Sequence, residues 1–146
     1  DATVADFEKP LPLEPGSCGL ITLLEVIEHV VLAEAFLDDI RRVLKPRGLL
    51  LLTTPNFAFW QYRMRHLRGL PPSAEGVHLR FFTSRLLRQT LAQHGFRIIE
   101  SAAFTPATGL NAIRRRLGLG EKFYRVPFPL ENLLAADLAF LAEKQD

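Results

Sequence analysis

The sequence predicts an α/β domain with a mostly parallel sheet, and three observations carry that expectation. Residues 20–24 form a nearly continuous apolar run broken by Thr22, and residues 49–54 form a second that closes on two threonines. Unbroken runs, rather than alternating ones, mark strands buried on both faces of a parallel sheet. Between them Ala33, Phe36, Leu37, Ile40, Val43 and Leu44 recur at helical spacing, with Asp38, Asp39, Arg41 and Arg42 on the other side. Strand, helix and strand of these lengths make a β-α-β unit, the connection that parallel neighbours need.

The remaining elements follow in order. Residues 3–7 read as a short strand closed by Asp6, and the Pro- and Gly-punctuated residues 9–17 as a loop. The run at 20–24 is expected to be a central strand. The helix that starts at Ala33 ends near Lys45, where Pro46 and Gly48 stop it. After Pro55 and Asn56, residues Phe57, Trp60, Met64 and Leu67 keep helical spacing, so Trp60 and Met64 are expected in the core, with Arg63, Arg65, His66 and Arg68 as a basic flank. Residues 69–76, with two glycines and two prolines, break this helix. Thr83 or Ser84 can cap a helix that runs to His94, with Leu86, Leu87 and Leu91 inward and Gly95 as terminator. Residues 96–103 are a strand, and 105–129 a loop with a short helix around 111–117. Residues 130–136 are a helical turn and 137–144 a final strand returning beside its neighbours.

Composition excludes several function classes. With 146 residues and 48% apolar content the chain can fill one globular core. A formal charge of +2 is far from the dense basic stripe of a nucleic-acid binder, so nucleic acid is not the expected partner. The single cysteine, Cys18, rules out an intrachain disulfide framework or a cysteine-rich zinc site and suits a cytoplasmic location. No run approaches the roughly 20 apolar residues of a membrane span.

The chemistry concentrates in Leu24-Glu25-Val26-Ile27-Glu28-His29, at the end of the first buried strand. Ligand sites of open α/β sheets lie beyond the carboxyl ends of strands, so polar residues placed there are functional candidates. Glu25, Glu28 and His29 stand at i, i+3 and i+4, and a helical turn would put all three on one side. Carboxylates with imidazole suit Mg or Mn, whose bound form lowers the pKa of a substrate hydroxyl. His29 as a metal-free general base, or a merely turn-capping pair of glutamates, are the alternatives. Asn56 either contacts substrate or ties down its loop.

In order, Asp6, Leu24 to His29, Arg42-Val43-Leu44-Lys45-Pro46-Arg47-Gly48 and Thr54-Pro55-Asn56 resemble the class I S-adenosylmethionine-dependent methyltransferases. The resemblance spans nearly the whole chain and implies a Rossmann-like methyltransferase fold with an antiparallel final strand. Glu25, Glu28 and His29 are similar to an element of ubiquinone-pathway O-methyltransferases and small-RNA 2′-O-methyltransferases, in which a later histidine joins; His78 is the candidate here. Residues Pro55-Asn56-Phe57 with Trp60, Arg63 and Gly69 also resemble the methionine-biosynthesis protein MetW, which does not share the Glu-Glu-His element. Cys18-Gly19 stands where the family has Phe-Asp.

What the resemblance implies is specific. Asp6 would accept a hydrogen bond from the adenine amino group of S-adenosylmethionine with Phe7 beside the ring, against the alternative of a loop-capping Asp. Leu24 and Glu25 would complete the cofactor side. Glu25, Glu28 and His29 would be catalytic, the metal set would be Glu25, Glu28, His29 and His78, and Asn56 and His78 would face the substrate. The Gly-rich loop of the family has no counterpart in the sequence. Residues 1–146 are therefore expected to be the C-terminal part of one methyltransferase domain, lacking the N-terminal β-α-β part and inactive alone, with 57–80 a substrate-side insert and 104–130 a lid. The expected reaction is methyl transfer to a hydroxyl of a small molecule, sugar or lipid precursor. The rivals are a non-catalytic MetW-like partner protein and an RNA-directed enzyme; the second would need the arginine-rich segments, including Arg114-Arg115-Arg116, on one basic face with His78.

Overall fold

The computed structural model describes residues 4–71, 78–106, 111, 114, 116–127 and 129–145. Five strands form one mixed sheet in the order β1-β2-β5-β3-β4, with β1 at Cys18–Leu24, β2 at Leu44–Pro55, β3 at Phe96–Pro106, β4 at Phe123–Arg125 and β5 at Asp137–Lys144. The β1–β2 pair is parallel, and β5 runs antiparallel to both β2 and β3. Thus β1, β2 and β3 share a direction, as the β-α-β reading requires, the final strand is antiparallel as expected, and β4 also runs antiparallel to β3.

Helix α1 (Ala33–Val43) crosses from β1 to β2 and buries Ala33, Phe36, Leu37, Ile40 and Val43, the stripe read from the sequence. Helix α3 (Ser84–Gln93) buries Leu87 and Leu91 in the same cluster as Leu50 and Leu52 of β2 and Leu138 and Phe140 of β5. The Thr83 side chain accepts from the amide of Leu86 at its start, and Gly95 with φ +75° follows its end, a left-handed position where a Cβ would also meet Arg41. Leu86 itself is exposed, because the helix turns only its 87/91 side to the sheet. No helix among the described residues is long and apolar enough to cross a membrane.

Several expectations are corrected. The first described residues, 4–6, are not a strand. The run 20–24 does form β1, but at an edge of the sheet: no strand among the described residues pairs with its outer side, and Leu20 and Leu24 are more than half exposed. From Gly48 to Pro55 in β2 and from Asp137 to Ala142 in β5 buried residues alternate with half-buried ones, so the two helices cover one sheet face. Helix α2 (Trp60–Leu67) buries nothing; Trp60 and Met64 lie outside the core because the helix touches the body through Tyr62 and His66, whose rings meet Phe59 and Phe57. Strand β4 falls inside the stretch read as a loop, and the one-turn helix α4 (Glu131–Leu134) lies where a helical turn is expected. The helix expected around 111–117 and the arginine cluster at 114–116 lie partly outside the described residues.

Asp39 ties the N-terminal loop to α1. Its carboxylate accepts from the Leu11 amide (2.6 Å) and from Arg42 Nε (2.6 Å). Burial raises its pKa, but the bonds from Arg42 and Leu11 outweigh that and leave it lowered. A lowered carboxylate pKa gives stability that is present above the ordinary carboxylate range and is lost as pH falls through the folded value. Asp39→Asn should therefore lower the melting temperature at neutral pH, and the difference from wild type should shrink as pH falls through the lowered folded value, where the Asp39 carboxyl becomes protonated in the folded as well as the unfolded chain. Melting curves across that range check it.

Candidate functional site

The parallel strands β1 and β2 end side by side, and the candidate residues follow their carboxyl ends. Directly after β1, Glu25 takes φ +55°, a left-handed conformation uncommon outside glycine. Its amide is held there by the carbonyl (3.2 Å) and the hydroxyl oxygen (3.1 Å) of Thr53 on β2. This reversal means that the helical turn spans only Ile27–His29, so Glu25 does not share it with Glu28 and His29 as the spacing predicts.

Glu28 is 2% exposed. One carboxylate oxygen, Oε2, accepts from the Thr54 hydroxyl (3.1 Å). The other, Oε1, is buried without a hydrogen-bond partner among the described residues, 3.8 Å from His29 Nε2. An unsatisfied buried carboxylate oxygen is costly and calls for an explanation, an ion among them. His78 arrives from the segment before α3, its ring centroid 5.0 Å from that of His29 and the planes at 65°. Glu28, His29 and His78 each offer a ligand atom, and these atoms all lie within 4.8 Å of one another. Glu25 stays outside this group.

A strap that sequence reasoning missed places His78. The amides of Leu79 and Arg80 both donate to the Glu28 carbonyl (2.8 and 3.0 Å). The Arg80 guanidinium then donates to the Val31 carbonyl (2.6 and 3.0 Å) and to both carboxylate oxygens of Glu34 (2.7 and 2.9 Å). Bidentate pairing of this kind fixes geometry as well as adding energy. Nothing local in the sequence marks Arg80, since its partners stand 46 and 49 positions away.

Glu25 borders two clefts. One, of about 400 Å³, is lined by Asp6, Phe7, Glu8, Glu25, Val26, His29 and Val30 and so joins the expected cofactor-side residues to His29. The other lies over the strand ends, where Phe104, Phe123 and Asp137 meet Glu25 and Thr53. Burial raises the Glu25 pKa, a bond from Thr53 opposes it, and the nearby Glu28 charge adds to the rise. Leu24 ends β1 beside these clefts and is exposed.

The remaining candidates have local partners. Asp6 Oδ1 accepts from the Glu8 amide (3.1 Å) and Oδ2 pairs with Lys9 (3.2 Å), bonds that lower its pKa, and the residue also lines the cleft. Phe7 stacks against Phe36 at 5.0 Å. Glu8, not singled out by the sequence, caps α1 by accepting from the amides of Val31 (2.7 Å) and Leu32 (3.1 Å). Asn56 is fully buried; its side-chain amide donates to the carbonyls of Glu131 and Ala135 (both 2.9 Å) and its oxygen accepts from Ala58. Its side chain therefore serves the loop-tying alternative instead of facing a substrate.

Comparison with known proteins bears on the family and the fold. A curated protein of Mycolicibacterium smegmatis named "Probable S-adenosylmethionine-dependent methyltransferase" is 28% identical over 108 residues, covering 74% of this chain and 40% of its own length. A SAM-dependent methyltransferase structure from Thermotoga maritima superposes with a TM-score of 0.69 at 20% identity, covering 97% of this chain and 62% of that one. One from Mesorhizobium loti gives 0.63 at 17% identity, covering 96% and 67%. At such identities the structures establish the Rossmann-like fold alone. The chain thus spans well under half of the curated relative and about two thirds of these structures. Residues 2–101, more than half of the sequence, match the model of the Methyltransferase domain family, and the chain belongs to that family.

Proposed function

We propose that this chain carries the acceptor side of an S-adenosylmethionine-dependent methyl-transfer site, acting on a hydroxyl of a small molecule, sugar or lipid precursor. The observation that carries the proposal is the convergence of Glu28, His29 and His78 beyond the carboxyl ends of two parallel strands. His29 is exposed at the rim of the cleft and can take the proton of an acceptor hydroxyl as the methyl group transfers. Positioning of the acceptor supplies much of the remaining catalysis.

The same three side chains fit a divalent cation such as Mg or Mn. The support is the orphaned Oε1 of buried Glu28 in a group with two imidazoles, a mixed oxygen and nitrogen donor set that suits a transition-metal ion such as Mn better than Mg, which takes oxygen ligands. A cation held there would lower the pKa of an acceptor hydroxyl. Glu25 and Leu24, with Asp6 and Phe7 across the shared cleft, are assigned to the cofactor side. Tyr62, His78, Arg80 and Phe81 line a narrow cleft with Glu28, which supports residues 57–80 as the substrate-side insert. Residues 104–130 are proposed as a lid. The Glu-Glu-His likeness to ubiquinone-pathway O-methyltransferases belongs to this proposal.

The test is transfer of labelled methyl from S-adenosylmethionine to a panel of phenolic, sugar and lipid alcohols by the full-length protein, with and without a chelator. His29→Ala should lower the rate about 100-fold, within the usual range for loss of a general base. Chelation should lower the wild-type rate as well. Full activity in both cases would remove the assignment.

A further inference from the structure

Helix α2 presents an apolar stripe that stays largely exposed, with the Trp60 ring edge-on to Phe59 at 6.1 Å between centroids. At 3.6 residues per turn, Trp60, Met64 and Leu67 fall within an arc of about 60°, with Arg63 and Arg68 about 40° beyond either edge. Trp60 and Met64 are 44% and 41% exposed and Leu67 is 80% exposed, while the half-buried residues Gln61, Tyr62 and Arg65 occupy the opposite side. The outward face therefore has an apolar centre between two arginines. From residue 57 to residue 71 the sequence holds three arginines and a histidine and no acid.

From this face we propose that α2 is an interfacial anchor, laying Trp60, Met64 and Leu67 into an anionic lipid surface while Arg63 and Arg68 meet headgroup phosphates. An apolar stripe flanked by basic residues is the chemistry that such surfaces bind, and tryptophan favours the boundary between headgroups and acyl chains. Arginine stems can follow the stripe inward while their charge stays at the phosphates. The charge pattern selects among occupants. A second copy of this face would bring four arginines together with no acid to offset them. RNA would meet the arginines and gain nothing from burying Leu67. The inner side of α2 gives Tyr62 to the cleft that holds Glu28 and His78, so docking would hold that cleft about one helix diameter, roughly 10 Å, from the membrane. A lipid-borne hydroxyl is then the acceptor class, a consequence that rests on the proposed methyl transfer; the docking itself does not.

Trp60 is the single tryptophan, so its emission reports on this helix alone. With vesicles of phosphatidylglycerol the emission should shift to the blue and the chain should co-sediment, whereas phosphatidylcholine vesicles should do neither and added salt should weaken the binding. Leu67→Glu should abolish both signals with an unchanged far-UV spectrum, because the residue is 80% exposed. Arg63→Ala and Arg68→Ala should each weaken partitioning about five-fold, the equivalent of the roughly 1 kcal/mol per basic residue at an anionic leaflet. His29→Ala should bind vesicles like wild type, which separates this idea from the fate of the methyl-transfer reading. Absence of a shift with phosphatidylglycerol would overturn it, as would equal binding to both lipids or undiminished binding by Leu67→Glu. Conversion of a dimer to a monomer by Leu67→Glu without vesicle binding would instead assign the face to a second copy. RNA binding without vesicle binding would assign it to nucleic acid.

Discussion

Glu28→Gln is expected to stabilise the metal-free chain and, at the same stroke, to remove the proposed cation site. The carboxylate is buried, with Oε2 filled by the Thr54 hydroxyl and Oε1 left without a hydrogen-bond partner among the described residues. A buried charge with half of its acceptors unfilled carries a desolvation cost that the nearby imidazole, 3.8 Å away, offsets only in part. The amide keeps an oxygen for Thr54 and drops the charge, so stability without metal should rise by on the order of 1 kcal/mol. Cation affinity should fall by more than about 100-fold, since even outer-shell partners cost 10- to 100-fold when removed. Thermal melts with and without Mn separate these effects. Wild type should gain stability with Mn by mass action, about 2.7 kcal/mol at 100 times the dissociation constant, and the variant should gain nothing. A variant that is less stable without metal yet keeps the full Mn shift would make Glu28 a structural partner of Thr54, and the cation assignment would fail.

Much of the architecture was legible in the sequence because its signals are local. The stripe from Ala33 to Val43 and the cap at Thr83 each lie within one element, and the structure reproduces them. Neighbour relations are a different matter. An apolar run such as 20–24 reads the same whether or not another strand lies beside it, so the edge position of β1 and the exposure of Leu20 were not readable. Helical spacing shows that Trp60, Met64 and Leu67 share a face but not which way that face points; the body holds α2 by Tyr62 and His66 instead. At the site, Glu28, His29 and His78 lie together, with Glu25 outside the group. The left-handed Glu25 and the Arg80 strap depend on partners from Thr53, Val31 and Glu34, and pairs so far apart in the chain leave no periodic trace.

Phe140→Ala should cost about 3–5 kcal/mol, the range for removing a buried aromatic ring. Phe140 is 1% exposed on β5, the strand that lies between β2 and β3 and pairs with both. Its backbone stands opposite Leu52 on one side and Ser101 on the other, and the Arg88 guanidinium lies 5.0 Å from its ring centroid. Truncation would open a cavity and also strip the cation–π partner from an Arg88 that bonds Ser84 and Ser101. A loss of this size is a large share of the 5–15 kcal/mol that holds a domain together, so urea unfolding should show a midpoint far below wild type with an unchanged slope. The site should feel it as well. Pairing of β5 with β2 runs through Thr54 and Pro55, and Asn56 is anchored on the carbonyls of Glu131, Ala135 and Ala136 just before β5. Thr54 in turn supplies the hydroxyl that holds Glu28. Loosening β5 should therefore weaken Mn binding in proportion to the population unfolded, with wild-type affinity in the folded fraction. Normal stability in Phe140→Ala would contradict this picture of the core, and Mn affinity lost while the chain stays folded would mean that β5 acts on the site through local geometry.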